Sequence, residues 1–289
     1  MNKYRIKETM LKIPLAYNII KANLSNREIK SIDQNYGSDK RQYYRIFNCR
    51  KESPIIFFVH GGSWWHGSPK RYSYIGKFFN SRGYTVILTS YRLVPKFTYP
   101  TQINDIFEGF KHFLRNESIN GDKNRIYVVG FSAGGELAAN LVFNKNFHNK
   151  YNINSIIFKK FVSISGVLDF EKCNRSYAKM IIKNYLNKNS LRECNPINLI
   201  EGNEKIPVLC IHGKEDSLIN PECSISFISK INNTKIAKLI LLNNTYHSNI
   251  LNLLRKDGTK ESKLILEFLK WRKEDICWKV TLMNTKEIT

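Results

Sequence analysis

The chain predicts an α/β fold, a doubly wound and mostly parallel sheet carrying a small helical cap or lid, on three observations. Short, nearly unbroken apolar runs recur from Gln42 onward. Stretches with apolar residues at helical spacing separate them. A serine flanked by glycines stands where one of those runs gives way to a helix. Strands covered on both faces read as continuous apolar runs, and strands that alternate with helices build βα units with helices on both sides of the sheet.

The elements follow in order. QYYRIFN (42–48) alternates like a half-buried strand, and PIIFFVH (54–60) reads as a strand buried on both faces. A helix is expected over 69–82, opened by Pro69, with Tyr74, Phe78 and Phe79 on one side. YTVILTSY (84–91) is another buried strand. Residues 102–115 carry Ile103, Ile106, Phe107, Phe110 and Phe113 at helical spacing. RIYVVGF (125–131) is a strand and SAGGELAANLVFN (132–144) the helix after it; FKKFVSISG (158–166), KIPVLCIHG (205–213) and KIAKLILLN (235–243) are further strands. A helix fills 221–231, and an amphipathic helix closes the pattern over 261–273. Residues 168–204 have weak periodicity and read as a lid-like insertion; residues 1–35 read as a cap-like segment over the site mouth. Both are taken as parts of one domain spanning 1–289, in which 274–289 have no assigned place.

Composition bounds the function. Of 289 residues, 42% are hydrophobic and 12% aromatic, enough for a full core and against a disordered chain. Lysine and arginine number 46 against 24 acidic residues, a net charge of +22. The lysines are scattered and no nucleic-acid motif accompanies them, so the charge reads as a solvated surface, with no nucleic-acid partner expected. Six cysteines without a CxxC pair suggest neither a zinc site nor a redox motif, and a reduced, cytoplasmic chain is expected. No apolar run approaches the roughly 20 residues needed to span a bilayer, and Lys12, Pro14, Asn18 and Lys21 interrupt the N-terminal stretch, so neither a membrane anchor nor a signal peptide is expected.

Two motifs carry chemistry. Gly130-Phe131-Ser132-Ala133-Gly134-Gly135 matches G-x-S-x-G and sits between a strand and a helix. That context makes a sharp turn in which the serine backbone is strained and its Oγ projects, while the helix N-terminus points amides at the same spot. His60-Gly61-Gly62-Ser63-Trp64-Trp65 follows the strand PIIFFV. Acyl transfer needs N–H donors aimed at a developing oxyanion, and adjacent glycines let a backbone turn them inward. Gly62, Ser63 and Ala133 are the expected donors, with Gly61 shaping the turn. His60 is expected to be a structural hydrogen-bonder, and one of Trp64 and Trp65 to line the substrate pocket.

With these motifs the chain resembles an α/β-hydrolase of the broad esterase/lipase group that includes hormone-sensitive-lipase-like carboxylesterases. The HGGxW form and YGSDKRQYYRIF (36–47) are closer to the branch of kynurenine formamidase and small feruloyl or acetyl esterases. Ser90-Tyr91-Arg92-Leu93-Val94-Pro95, then Tyr99-Pro100 and Asp105, resembles that branch's YRL-x-P…P…D stretch. The likeness spans roughly 36–256; Ser63 departs from the third glycine of the lipase-like branch. The resemblance implies a triad in the order serine, acid, histidine. Asp216, in the HG-x-x-D pattern of VLCIHGKEDSLIN (208–220), is the implied acid, with Glu215 as neighbouring competitor and Asp169 as the more distant one. His247, on the loop after the last strand, is the implied base; His66, His112, His148 and His212 hold no such position, and His212 is expected to support the acid loop.

The expected activity is a carboxylic-ester hydrolase that cleaves a small or medium ester through an acyl-enzyme on Ser132, with no metal or organic cofactor. The alternatives are an arylformamidase of the N-formylkynurenine type and an acyltransferase or thioesterase. A non-catalytic binding protein on this fold is disfavoured because all three triad residue types are present. Tyr17, Ile19, Ile20, Tyr177, Ile181 and Tyr185 are candidate pocket walls. Acyl and amine specificity and oligomeric state are not legible at this level.

Overall fold

A computed structural model of the chain describes residues 28–255 and 259–270. The described residues hold eight strands: β1 (Ile32–Asn35), β2 (Tyr43–Phe47), β3 (Pro54–Val59), β4 (Thr85–Thr89), β5 (Asp122–Phe131), β6 (Phe158–Ile164), β7 (Val208–Gly213) and β8 (Ala237–Leu242). They form a sheet in the order β1-β2-β4-β3-β5-β6-β7-β8. β1 and β2 pair antiparallel, as do β2 and β4; every other neighbour pair is parallel. The α-helices among the described residues are α1 (Ser73–Asn80), α2 (Thr101–Arg115), α3 (Ala133–Phe143), α4 (Lys145–Tyr151), α5 (Ser176–Leu186), α6 (Leu191–Cys194), α7 (Glu222–Ile231) and α8 (Lys260–Lys270).

The continuous apolar runs are explained by which layer each side chain enters. Successive side chains of a strand point to opposite faces. Ile55, Phe57 and Val59 of β3 accordingly join the cluster that holds α2, α3 and α7, while Ile56 and Phe58 join the cluster that holds α1 and α8. Phe57 packs edge-on to Phe110 of α2 with ring centroids 5.1 Å apart. Burying each such phenyl ring stabilises the fold by roughly 1.5–3 kcal/mol.

The doubly wound, mostly parallel sheet agrees with the expectation, and local differences have local causes. The first helix starts at Ser73 rather than Pro69, because Arg71 and Ser73 close turns onto the Ser68 and Lys70 carbonyls first. Residues 32–35, expected as part of a cap-like segment, instead make the edge strand β1, pinned by the Arg45–Asp33 ion pair at 2.7 Å. The rest of that segment up to residue 27, with Tyr17, Ile19 and Ile20, lies outside the described residues, as do 271–289. The insertion 168–204 holds α5, α6 and a 3-10 turn, Pro196–Leu199. Among the described residues, no helix is long and apolar enough to cross a membrane.

Candidate active site

The C-terminal ends of the parallel strands bring the candidate residues to one place, as open α/β sheets do with their ligand crevices. Ser132 follows β5 directly and has φ 54° and ψ −123°. A non-glycine residue held there costs roughly 1–3 kcal/mol. The surroundings enforce it: the Ser132 amide donates to the Ile164 carbonyl, and the Ser132 carbonyl accepts from Gly135 and Val167. The turn leaves no space for side chains on its glycines. A Cβ on Gly134 would come 2.2 Å from the Val59 oxygen, and one on Gly130 would come 2.4 Å from the Gly134 oxygen.

His247, on the loop after β8, reaches Ser132 Oγ with Nε2 at 2.9 Å and Asp216 Oδ2 with Nδ1 at 2.7 Å. Its ring lies along that of Phe131, with centroids 5.2 Å apart. Asp216 follows β7 and is fully buried. Oδ1 accepts from the amides of Leu218 and Ile219 at 3.0 and 2.8 Å. Oδ2 also lies 3.3 Å from Nε2 of His212, whose Nδ1 is 2.8 Å from the Ser224 hydroxyl. Burial by itself would raise the Asp216 pKa. The charge and hydrogen bonds of His247 and His212 outweigh it and hold the carboxyl well below the usual carboxylate range. The two competing acids are occupied elsewhere. Glu215 accepts from the Thr245 amide at 3.0 Å, and Asp169 accepts from Asn195, Ser226 and the Glu171 amide.

The loop after β3 closes the other side. Gly61 packs against Phe131 and Ser132 so tightly that a Cβ would meet the Phe131 oxygen at 2.8 Å. Gly62 has φ +131°, and Ser63 and Trp64 have φ 56° and 58°. Among the described residues, no hydrogen bond engages the amides of Gly62, Ser63 or Ala133. His60 is sandwiched between Tyr91 and Tyr72, and its Nδ1 lies 2.8 Å from the Gly61 oxygen. Burial pushes its pKa down to about 3, so it is a neutral, structural ring. The YRL-x-P stretch supports this loop: the Tyr91 hydroxyl donates to the His60 carbonyl, and Arg92 grips the buried Asp105 of α2 through three side-chain contacts of 2.7–3.1 Å.

A narrow cavity of about 30 Å³ opens between Ser132, His247, Ser63, Trp64 and Ala133. Its far wall comes from Val167 and, within the insertion, from Tyr177, Ala178, Ile181 and Ile182. Leu218 and Ile219 of the acid loop close it. Trp64 lines it, whereas Trp65 is 43% exposed and is not among the lining residues. Tyr185 lies one layer back, stacked on Trp64 with centroids 4.1 Å apart. Sequence reasoning named Trp64, Tyr177 and Ile181 but missed Val167, Ala178, Ile182, Leu218 and Ile219, small apolar residues that no local pattern separates from core. It also missed Glu136, whose signal was a lone carboxyl in a mostly apolar helix. A larger hollow of about 850 Å³ lies at the opposite end of the strands, by the starts of β5 and β6. It holds no nucleophile paired to a base, and two of its lysines are engaged: Lys145 with Glu201, and Lys160 with the Phe268 and Leu269 carbonyls. Among the described residues, no group of three or more metal-ligating side chains is clustered.

A continuous hydrogen-bond chain from a carboxylate through an imidazole to a hydroxyl, beside unengaged amides, is able to generate a nucleophile and receive an oxyanion. Known proteins resemble the chain at the level of family and fold. The family described as BD-FAE matches residues 43–231. Arylacetamide deacetylase of Bos taurus is 42% identical over 90 residues, 29% of this chain and 23% of the relative. Esterase LipC of Mycobacterium tuberculosis is 26% identical over 218 residues, 68% of this chain and 53% of the relative. The chain thus spans about half or less of the length of these curated relatives. Among solved structures, an inhibited esterase B from Lactobacillus rhamnosis superposes with a TM-score of 0.71 at 16% identity, over 93% of this chain and 95% of that one. A hyperthermophilic esterase from the archaeon Pyrobaculum calidifontis superposes with a TM-score of 0.69 at 18% identity, over 91% and 93%. At these identities the structural likeness establishes the fold.

Proposed function

The chain belongs to the BD-FAE family and folds as an α/β-hydrolase, and from that premise we propose that it is a serine hydrolase cleaving small carboxylic esters through an acyl-enzyme on Ser132. The observation that carries the reading is the continuous Asp216–His247–Ser132 contact chain, at 2.7 and 2.9 Å. The printed activities of the relatives, esterase and deacetylase, lie in the same reaction class.

Asp216 accepts the Nδ1–H of His247, which leaves the Nε2 lone pair facing Oγ. As Ser132 Oγ attacks the ester carbonyl carbon, its proton passes to Nε2. The oxyanion faces the amides of Gly62, Ser63 and Ala133, and Gly61 lets that loop approach. Each such donor is worth about 3–4 kcal/mol in the transition state. Collapse breaks the C–O bond, and the imidazolium protonates the departing alcohol. Water then gives a proton to His247 and attacks the acyl carbon, releasing the acid and restoring Ser132. The insertion 168–204 acts as a lid-like wall that limits acyl length.

The narrow cavity favours acetyl or formyl over long acyl chains, which keeps arylformamide hydrolysis as the second reading. A panel of p-nitrophenyl acetate, butyrate and octanoate with N-formylkynurenine separates them. The expected result is fastest turnover of acetate by the wild type and a loss of about 10³-fold or more in Ser132→Ala. Faster turnover of N-formylkynurenine selects the formamidase. No turnover of any of them by the wild type, or full activity in Ser132→Ala, overturns both.

A further inference from the structure

A carboxyl group lies beneath the candidate site with no part in the chemistry above. Glu136, four residues after Ser132 on α3, is fully buried. Its Oε2 accepts from the Trp64 indole N–H at 3.1 Å and from the Tyr185 hydroxyl at 3.2 Å. Its Oε1 accepts from the Asn140 amide at 2.9 Å. One side chain therefore joins the loop after β3, the helix that follows the nucleophile and the lid helix α5. The Trp64 and Tyr185 rings it holds are parallel to within 3°.

The loop needs holding. Ser63 and Trp64 are consecutive non-glycine residues in the left-handed region, a conformation that persists only where surroundings enforce it. Besides the indole contact, Trp64 is tied by its carbonyl, which accepts from the Val94 amide at 3.1 Å. Among the described residues, no cation is paired with Glu136. The titratable groups that feel it are Tyr91, Tyr99 and Tyr185 with Cys194, all with pKa values raised and so neutral at pH 7. Burial pushes the Glu136 carboxyl up to about 8, against the lowering effect of the Trp64 and Tyr185 hydrogen bonds. At neutral pH it keeps its proton, and across the 3.2 Å contact the Tyr185 hydroxyl, which accepts as well as donates, then receives the carboxyl O–H in place of donating to Oε2.

We infer that protonated Glu136 is a positioning residue for the hydrolase: it fixes the Trp64 indole and the Tyr185 hydroxyl so that the amides of Gly62 and Ser63 face Ser132, and its ionisation releases loop and lid together. The kinetic part rests on the esterase reading; the structural part does not. The test is Glu136→Gln, which keeps shape and polarity without titrating, read in two ways. In p-nitrophenyl acetate hydrolysis the wild type loses kcat on the alkaline side with a midpoint near pH 8 at nearly constant KM; Glu136→Gln stays active at pH 7 and lacks that limb. Glu136→Ala lowers kcat about tenfold or more, with KM little changed. In tryptophan emission, the wild type shows a transition near pH 8 that is absent from both Glu136→Gln and Trp64→Phe. An alkaline limb and an emission transition unchanged in Glu136→Gln overturn the inference. If Glu136→Ala does not fold, the glutamine variant decides. If the wild type hydrolyses no ester, the esterase reading falls and the emission transition alone decides whether Glu136 holds Trp64.

Discussion

Asp216 carries two tasks in one carboxylate, and its surroundings explain how. Two backbone amides fix Oδ1, while Oδ2 faces His247 and His212. The carboxylate thereby sets the tautomer of His247 and stays ionised in an environment that otherwise disfavours charge. Replacement by asparagine offers an N–H where an acceptor is needed and turns the imidazole to the wrong tautomer. Asp216→Asn is expected to lower Tm, since the stabilising carboxylate is lost, and to lose roughly 10⁴-fold in kcat, as a triad aspartate does. Glu215→Gln, whose side chain faces the Thr245 amide, is expected to keep near-wild-type kcat; steady-state kinetics of the two variants distinguish the neighbours. The sequence named both acids and favoured Asp216, whose carboxylate lies 2.7 Å from His247, because the residue type and the turn after a strand are local features. It did not reveal Glu136, because its partners, Trp64 and Tyr185, are 72 and 49 residues away in the chain.

At the scale of elements, helix α5 walls one side of the cavity. Its buried face presents Ala178, Ile181 and Ile182 to the cavity, while Tyr185 anchors it to Trp64 and its backbone oxygen accepts from Tyr99. Shortening Ile182 to alanine removes three carbons from the wall. The ratio of kcat/KM for hexanoate to that for acetate is expected to rise about tenfold or more in Ile182→Ala, measured with p-nitrophenyl esters. An unchanged ratio would place the acyl group elsewhere. The loop after β4 acts in a different way, through the Arg92–Asp105 pair. Asp105→Ala leaves Arg92 facing a buried vacancy and is expected to cost about 3–5 kcal/mol in urea unfolding. The central strands were legible because their apolar runs feed both layers of core. β1 was not, since its four residues, IDQN, are polar and mostly exposed. α4 was not either: KNFHNKY is short, polar and capped by Asn144 through a contact with the Phe147 amide. Helix α5 was hidden by its lysines and asparagine, and only its burial pattern marks the inner face.

For the whole molecule, the site is a property of the folded chain alone: Ser132 and His247 are 115 residues apart in sequence and meet only because the sheet aligns the ends of β5 and β8. Stability should follow the buried titratable groups with pH. His60 has its pKa lowered, so its contribution is complete above about 6.5 and falls as pH drops toward about 3. Asp216 is depressed as well, so its contribution is complete above about 3.9 and is lost as pH falls through its folded value. Glu136 acts in the opposite sense, with a raised value whose contribution declines as pH rises from about 4.3 toward about 8. Urea unfolding is expected to show stability decreasing below pH 6, and the difference between Glu136→Gln and wild type moving in favour of the glutamine between pH 5 and pH 8. The account as a whole depends on Ser132 being a nucleophile that His247 activates. The most direct measurement is peptide mapping by mass spectrometry after reaction with a fluorophosphonate. The account predicts one adduct, on Ser132, formed rapidly by the wild type and strongly slowed in His247→Ala. An adduct on another residue, or none on Ser132 in the folded wild type, would contradict it.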